Sequence, residues 1–424
     1  TILYKDVSSS TLNIGKYYDE NEIEIEIDHS DITKVNTARY EHSMVVIGDH
    51  MYVFGGFSNG SVLDDLYTID TSGYAEKIPL TGDIPPARYQ HAMVVIGDHM
   101  YVFGGYSSGY LPNDLYTIDT NGYAEKIPLT GSDSDNILLS RRCHSMVAIG
   151  DYMYIFGGYG NSTDSLDALY KIDIFGNCKK IILKGDSDNI PSPRAAHTMV
   201  VIDSNMYIFG GQNHNGGLSP NDLYKIDTLG SCKKITLSVS DRPSARYEHA
   251  MVAIGNYMYI FGGHSGDSFP DDLIKIDTAG NSEQITLSGS DKPPSARSRY
   301  YHCMVILGTN MYIFGGLYGA TLDDLITIPF TFKTHYLDGN IAHLRLYNTL
   351  KTEDELTTSY SLHKSDLNSI YYDKVVLDDR YDYLSVNIRF EVKTLSFWFN
   401  LNDVSTDNYL LSFDNDFYIK VNSN

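Results

Sequence analysis

The feature that most constrains the fold is a short apolar run ending in two glycines, which occurs six times. The first copy is Met-Tyr-Val-Phe-Gly-Gly at residues 51–56. The other glycine pairs stand at residues 104–105, 157–158, 210–211, 262–263 and 315–316. Successive pairs are separated by 49, 53, 53, 52 and 53 residues. A period of about 50 residues is typical of architectures in which each repeat is one four-stranded unit.

Each repeat carries four strand signals. In the second repeat they cover residues 91–96, 100–103, 114–119 and 123–129. The first is almost wholly apolar, as expected for an inner strand buried on both faces, and the third alternates between apolar and polar residues. Gly97-Asp98 and Asn121-Gly122 mark tight turns between them. The sequence therefore predicts an all-β fold, a six-bladed β-propeller.

The ends of the repeat region predict how the ring closes. The sixth repeat shows no clear fourth strand before residue 330, where the period is lost. Residues 22–27, Glu-Ile-Glu-Ile-Glu-Ile, precede the first repeat at the offset of the other fourth strands. We predict that residues 22–27 complete the last blade, because full closure removes exposed sheet edges. Residues 1–330 then form one propeller domain.

The repeats resemble those of the kelch family. The resemblance rests on the Arg-x-x-His start, the double glycine after an aromatic residue, and the Asp-Leu-Tyr pattern. In the second repeat the structural markers are Arg88, His91, Gly104, Gly105 and Asp114. Kelch repeats usually carry a tryptophan on the fourth strand, but here the corresponding positions hold Glu76, Glu125, Lys179, Lys233 and Glu283. We therefore expect the packing between blades to differ from that of the family.

Residues 331–424 have a different character. Residues 339–348 alternate as a strand, and residues 395–399 include Trp398, the single tryptophan of the chain. These segments resemble strands of laminin-G and concanavalin-like sandwiches, which predicts a jelly-roll β-sandwich. A motif typical of the end of such a domain precedes one typical of its start. A truncated second sandwich, a propeller inserted into a sandwich, and residues missing near 330 all account for that order.

Two polar patterns recur with the repeats. Arginine and histidine stand three residues apart at Arg39/His42, Arg88/His91, Arg141/His144, Arg194/His197, Arg246/His249 and Arg299/His302. One interpretation is a cationic channel mouth that binds an anion or a metal. The other is a hydrogen-bonding device that fixes each inter-blade loop to the next inner strand. Presence in every blade favours the architectural interpretation. The aspartates at positions 65, 114, 222, 272 and 324 are interpreted similarly, as caps of turn amides.

Loop lengths predict which face binds. The turns between the first and second strands and between the third and fourth are short, whereas the loops at the opposite face are long and variable. Binding residues concentrate on variable loops held by a rigid scaffold. The predicted contacts on the loop-rich face are Tyr106, Tyr110, Tyr159, His214, His264 and Tyr318. Their rings suit stacking on a sugar or anchoring a protein partner.

Composition excludes several classes of function. A net charge of -22 repels phosphate backbones and anionic lipid, so we expect no nucleic-acid partner. No apolar stretch reaches the roughly 20 residues of a membrane helix, so no membrane insertion is expected. The four cysteines lack zinc spacing, and no motif of nucleotide binding or hydrolysis is present. We predict a protein that is not an enzyme and has no cofactor or metal, apart from possible calcium in the sandwich.

The favoured hypothesis is a recognition module exposed at a cell or virion surface, an extracellular adhesion protein that binds a glycan or glycoprotein. The sandwich resemblance implies the lectin-like carbohydrate binding in that hypothesis. The alternatives are an intracellular, cytoplasmic kelch scaffold that binds other proteins and a structural subunit of a larger surface or virion assembly.

Overall fold

The computed structural model describes residues 13–14, 17–24, 31–35, 37–131, 138–161, 165–213, 217, 221–266, 268–285, 299–335, 339–347, 375–376, 384–385, 394–401, 408–413 and 417–421. Contacts divide the chain into two units. One is Ile25–Thr331, and the other joins Thr1–Glu24 to Phe332–Asn424. The first unit contains all six repeats.

The described strands of the repeat unit form six antiparallel blades, each running from an inner strand a to an outer strand d. Blades 1 to 3 are Ser43–Ile47, His50–Phe54, Leu66–Ile69 and Ala75–Ile78; Ala92–Ile96, His99–Phe103, Leu115–Ile118 and Tyr123–Ile127; Ser145–Ile149, Tyr152–Phe156, Leu169–Asp173 and Asn177–Ile181. Blades 4 to 6 are Thr198–Ile202, Asn205–Phe209, Leu223–Ile226 and Cys232–Ile235; Ala250–Ile254, Tyr257–Phe261, Leu273–Asp277 and Ser282–Ile285; Cys303–Leu307, Asn310–Phe314, Asp324–Pro329 and Asp31–Lys34.

The blades form a closed ring. Each a strand contacts the a strand of the next blade, and Cys303–Leu307 of blade 6 contacts Ser43–Ile47 of blade 1. The prediction of an all-β, six-bladed propeller is therefore confirmed. The four strands predicted for blade 2 agree with the observed bounds to within two residues at each end.

The hydrophobic core lies between the blades. Strand b is an unbroken apolar run because both of its faces are buried. Phe54 of blade 1 packs with Met100 and Val102 of blade 2, whereas Val53 packs with Phe314 of blade 6. The strict alternation of side chains along strand b thus joins each blade to both neighbours.

The strand that completes blade 6 is not the predicted one. Asp31–Lys34 pairs with Asp324–Pro329 as strand d, so the prediction of residues 22–27 for this position is wrong. Residues 22–24 belong to Tyr17–Glu24, which pairs with Thr331–His335, and residues 25–27 lie outside the described residues. The distance from the first strand a did not identify strand d correctly, because the connection from strand d to strand a differs in length between blades. Only eight residues separate Lys34 from Ser43, fewer than at the other junctions.

The segment after strand d replaces the missing tryptophan as a link between blades. Thr81–Gly82, which follows blade 1, pairs in parallel with Tyr123–Ile127, strand d of blade 2. Thr130–Gly131 pairs in the same way with Asn177–Ile181 of blade 3. An isolated parallel bridge between Lys184 and Ser231 repeats the arrangement at the next junction. Each added segment covers an outer sheet edge and ties two blades together.

The remaining elements of this unit are small. Two hairpins lie in b–c loops, Phe57–Ser58 with Ser61–Val62 and Leu317–Tyr318 with Ala320–Thr321. Ser187–Asn189 is a single 3-10 turn. Among the residues that the structure describes, no helix is long and apolar enough to cross a membrane.

The second unit contains short sheets. Gly339–Tyr347 lies between Val375–Val376 and Thr394–Leu401 in a three-stranded antiparallel sheet. The other described strands pair in twos: Asn13–Ile14 with Leu384–Ser385, Tyr17–Glu24 with Thr331–His335, and Asn408–Phe413 with Phe417–Val421. A concanavalin-like sandwich over residues 331–424 stays a prediction.

Candidate functional site

A buried arginine anchors each blade. In blade 2 the guanidinium of Arg88 is fully buried, and its Nη1 donates to the carbonyl of Gly104 at 3.0 Å and to Asp114 Oδ1 at 2.7 Å. Equivalent ion pairs are Arg39–Asp65, Arg194–Asp222, Arg246–Asp272 and Arg299–Asp324. The backbone carbonyl of Arg88 also accepts from the Gly56 amide of blade 1. The arginine therefore ties the d–a loop, the b–c loop and the previous blade together.

The interpretation of these aspartates as turn caps is wrong. A buried guanidinium needs a charged acceptor, whereas exposed turn amides find acceptors in water. A different aspartate, at the end of strand c, caps the c–d turn. In blade 2 this is Asp119, whose Oδ1 accepts from the amides of Asn121 at 2.9 Å and Tyr123 at 2.8 Å.

The recurring histidines are buried packing residues that carry no charge. The ring of His91 meets that of Phe54 in the preceding blade edge to face, with 5.4 Å between centroids. Burial, together with the charge of Arg88, lowers the pKa of His91 to about 3. The imidazole is thus neutral at physiological pH, which rules out the cationic histidine mouth considered from the sequence. Within the described part of the chain, no cluster of three His, Cys, Asp or Glu side chains suits a metal ion.

Six residues next to these histidines form a ring of backbone hydrogen bonds around the propeller axis. The residue before each histidine donates its amide to the carbonyl of its counterpart in the preceding blade, at 2.8–3.2 Å. These residues are Glu41, Gln90, Cys143, Ala196, Glu248 and Tyr301, hereafter the axial ring. All six have positive φ, between 53° and 60°. Left-handed backbone is uncommon for residues with a Cβ and recurs at functional sites.

The axial ring carries two acidic side chains in a largely buried setting. Burial raises the pKa of Glu41 to about 7, although hydrogen bonds from Gln90 and Tyr301 and the charge of Arg142 lower it. Burial raises the pKa of Glu248 to about 8; a hydrogen bond with Tyr301 lowers it, and the charge of Glu41 raises it further. Burial also raises the pKa of Tyr301 far above its usual range, so its hydroxyl stays protonated.

One arginine approaches the ring from its edge. Arg142 Nη1 donates to Gln90 Oε1 at 2.8 Å, and Gln90 Nε2 donates to Glu41 Oε1 at 2.5 Å. The guanidinium carbon of Arg142 lies 5.6 Å from the ring centroids of both Tyr106 and Tyr159. Arg142 is therefore held by two rings and an amide, and Gln90 separates it from the carboxylate of Glu41.

A chain of aromatic contacts surrounds the axial ring. Successive ring centroids lie 4.6–5.9 Å apart. The members, in order, are Tyr247, His264, Phe269, Tyr300, Tyr301, Tyr40, Phe57, Tyr89 and Tyr106, hereafter the aromatic arc. All are partly exposed. Arg142 and Tyr159 extend the arc into blade 3. It is interrupted at blade 4, where the corresponding positions hold Ala195 and Gln212.

The structure brings together most of the predicted contact residues. Tyr106 and His264 belong to the aromatic arc, and Tyr159 stacks on Arg142 at its end. Tyr318 is 50% exposed and lies 6.5 Å from Phe269 between ring centroids, and Tyr110 is 51% exposed in the blade 2 loop. His214 lies outside the described residues. Whether these side chains contact a ligand stays a prediction.

The sequence predictions did not include the axial ring or seven of the nine members of the arc. Apart from Phe57 and Phe269 of the b–c loops, the missed residues occupy the two variable positions inside each Arg-x-x-His motif, such as Tyr40 and Glu41 in the first repeat. The signal was available there. Everything around these positions repeats, so a change of chemistry from blade to blade at an otherwise constant place marks the site.

The four cysteines are free thiols. Burial raises the pKa of the Cys143 thiol far above its usual range, and it raises the pKa of Cys178 to about 11. Such thiols are poor nucleophiles at neutral pH. Cys178 packs in the core between blades 2 and 3, and Cys232 packs against the core between blades 3 and 4, which agrees with the role of small apolar fillers.

Known proteins share this repeat architecture. The chain is 30% identical over 185 residues to Kelch domain-containing protein 3 of Homo sapiens, covering 41% of this chain and 47% of that protein. It is 28% identical over 244 residues to Host cell factor of Drosophila melanogaster, covering 53% of this chain and 16% of that protein. It is 31% identical over 125 residues to N-(sulfonatooxy)prop-2-enimidothioate sulfolyase of Thlaspi arvense, covering 28% and 35%. The chain thus spans less than half of these curated relatives.

The family model for the KLHDC2/KLHL20/DRC7 Kelch-repeats domain matches residues 19–174 and 143–337, which include every blade described above. The chain belongs to this Kelch-repeat family.

Proposed function

We propose that this chain is a non-catalytic protein-interaction module that binds a protein partner on its loop-rich face. The observation that carries the proposal is the aromatic arc. Nine partly exposed rings form a continuous surface on the face where the b–c and d–a loops meet. Large aromatic side chains dominate the energetics of protein interfaces because they bury much apolar area at a small cost in conformational entropy.

A protein partner suits this surface better than the glycan favoured by the sequence analysis. Most rings of the arc meet one another at tilted or edge-on angles, for example 76° between Phe57 and Tyr89, and one pair, Phe269 and Tyr300, is stacked at 23°. Such rings form an uneven apolar surface that leaves few flat ring faces open for stacking on a sugar. Family membership and relatives such as Host cell factor, of which the matched region is 16%, support a repeat domain used as one part of larger proteins.

We place the module inside the cell, as the scaffold alternative has it. Four unpaired cysteines, three of them on blade strands, suit a reducing compartment better than an oxidising one. The extracellular, virion or adhesion setting depended on the lectin-like interpretation of residues 331–424. A sandwich there remains part of the proposal only as a separate accessory domain.

Paired tyrosine variants on opposite faces test the proposal. Tyr110→Ala with Tyr318→Ala truncates two half-exposed rings on the loop-rich face, and Tyr74→Ala with Tyr123→Ala truncates two exposed rings at the c–d turns. Cross-linking mass spectrometry of the wild-type chain in cell lysate identifies partners and the lysines that join them. We expect the loop-face variant to lose about tenfold in affinity for the identified partner, measured with purified proteins, and the turn-face variant to keep it.

Equal loss or equal retention in the two variants would contradict the assignment of the face. If the wild-type chain binds a free oligosaccharide saturably and the loop-face variant does not, the glycan hypothesis would replace the proposal.

A further inference from the structure

The mouth of the channel contains a small cavity whose lining includes Tyr301 of the aromatic arc. Its volume is about 130 Å³, which is the scale of one side chain rather than of a peptide or a sugar chain. The axial ring forms its wall, with the histidines of all six blades beside it. The ring of backbone hydrogen bonds surrounds the axis at this level.

The cavity contains more acidic groups than cationic ones. Glu41 and Glu248 both line it, and Tyr301 hydrogen-bonds to each. The guanidinium of Arg142 is engaged by Gln90, Tyr106 and Tyr159 instead of pairing directly with a carboxylate. Among the described groups that act on Glu248, none is cationic. Two carboxyl groups in a largely buried cavity without a direct ion pair favour the entry of a cation.

The histidines beside the cavity supply a second set of polar atoms. His42, His144 and His197 are more than nine-tenths buried, and among the described residues neither ring nitrogen of any of them has a hydrogen-bond partner. Burial, with the charge of the neighbouring arginines, lowers their pKa values, so each neutral imidazole keeps one acceptor nitrogen. Buried polar atoms without partners indicate a missing ligand or water.

The tyrosines at the rim of the cavity add aromatic ring faces to these polar groups. Tyr40, Tyr89 and Tyr300 flank the axial ring, and the ring quadrupole of tyrosine attracts a cation held within about 6 Å of its face. A net charge of -22 adds long-range attraction for a basic partner.

We propose that this cavity is the anchor pocket of the interaction surface and takes one lysine or arginine side chain of the partner protein. The inference rests on the proposed function and specifies its ligand chemistry. The ammonium or guanidinium lies between Glu41 and Glu248, its N–H groups donate to the carboxylates, and its alkyl stem lies along the tyrosines of the rim.

Immobilised peptide libraries test the chemistry of the ligand. The probes are random nonapeptides with a fixed central lysine, arginine, norleucine or glutamate. We expect the full-length chain to select lysine or arginine peptides and to ignore norleucine, which keeps the stem and lacks the charge. Dissociation constants of selected peptides are then measured in solution. Glu41→Gln and Glu248→Gln should each weaken binding about tenfold, whereas Asp98→Asn, an equal charge loss on the opposite face, should leave it unchanged.

The pH dependence separates charge recognition from simple packing. A cation requires both carboxyl groups ionised, so affinity should rise between pH 6 and pH 8.5 in the wild type and become flat in the double glutamine variant. The described groups that interact with the two glutamates are Gln90, Arg142, Cys143 and six tyrosines: Tyr40, Tyr89, Tyr159, Tyr247, Tyr300 and Tyr301. Over this range the tyrosines and the thiol of Cys143, whose pKa values burial raises, stay neutral.

Two results would overturn the inference and leave the proposed function intact. They are selection of glutamate peptides, and selection of lysine or arginine peptides with no loss in the glutamine variants. Loss of partner binding in the tyrosine pair on the turn face instead of the loop face would remove the proposed function as well. At pH 5, where both glutamates are protonated in the wild type, equal melting temperatures of the wild type and the glutamine variants show that the effects on binding are not due to misfolding.

Discussion

At the residue scale, the constant and the variable positions of the repeat have separate tasks. Arg88 and His91 stand at positions that recur in all six blades, and both are buried in the framework. Asp114 neutralises the charge of Arg88, and His91 is uncharged. The two residues between them vary among the blades, with Tyr-Glu in blades 1 and 5 and a different pair in each of the others, and they face the channel mouth. The repeat therefore holds Glu41 and Glu248 in left-handed backbone at fixed positions on the axis, at a conformational cost that the backbone ring offsets.

The two buried glutamates should make the protein less stable as the pH rises. Their pKa values in the folded state, about 7 and about 8, exceed the ordinary value of 4.5, so folding binds protons between these limits. The stability from the protonated forms is complete below pH 4.5 and is lost as the pH rises through 7 to 8. We expect the melting temperature to fall by several degrees between pH 5 and pH 9, measured by calorimetry. The Glu41→Gln, Glu248→Gln double variant should remove most of that slope, and an equal slope in both proteins would contradict the assignment.

At the element scale, blade 3 departs from the others in a way that predicts a stabilising substitution. Ala168 occupies the position of Asp114, and among the described residues no carboxylate forms an ion pair with the fully buried Arg141. Burial lowers the pKa of Arg141 to about 10. Ala168→Asp should restore the ion pair and add about 1–2 kcal/mol of unfolding free energy in urea titrations. Asp114→Ala, the reverse change in blade 2, should cost more than that, and a loss of stability in Ala168→Asp would contradict the pairing rule.

The double glycines should tolerate no side chain for reasons of space as well as backbone conformation. A Cβ at Gly104, with φ of 65°, would lie 2.6 Å from the carbonyl oxygen of Arg141 in the next inter-blade loop. Gly97 has nearly the same φ, 63°, and nothing within 4 Å. Gly97→Ala should cost about 1 kcal/mol from left-handed backbone alone, and Gly104→Ala about 3 kcal/mol or more. Equal costs, measured by denaturant unfolding, would show that the close approach between blades is relaxed easily.

The structural elements also differ in how well the sequence predicts them. Strands a to c were predictable because glycine pairs and apolar runs mark them, and the ring followed from their number. The links between blades were not, because Thr81–Gly82 and Thr130–Gly131 are polar, short and paired with residues 42 to 47 positions away. The sequence predicted two of the nine members of the aromatic arc and none of the axial ring. Tyr106 and His264 stood out as loop aromatics, whereas Glu248 became visible only when φ and burial placed it on the axis.

At the scale of the whole molecule, the ring depends on one seam. Five blades are each built from a continuous stretch of chain, but blade 6 joins Asp324–Pro329 to Asp31–Lys34 from the other end of the repeat region. Lys34 also forms an ion pair with Asp323 across this seam. Because distant segments close the ring, its stability depends on the four residues of Asp31–Lys34. An open blade 6 would expose the core that it shares with blade 1.

Two nested truncations distinguish the observed seam strand from the one that the sequence predicted. Deleting residues 1–30 removes residues 22–27 and keeps Asp31–Lys34, whereas deleting residues 1–35 removes both. Both truncations lose the same part of the second unit, so each controls for that loss in the other. We expect the melting transition of the propeller in the longer deletion to lie about 5–10 °C below that in the shorter one, because only the longer deletion unpairs Asp324–Pro329. Equal transitions, both far below that of the full chain, would return the closing role to residues 22–27, and equal transitions at the full-chain value would show that the ring is stable with an open sixth blade.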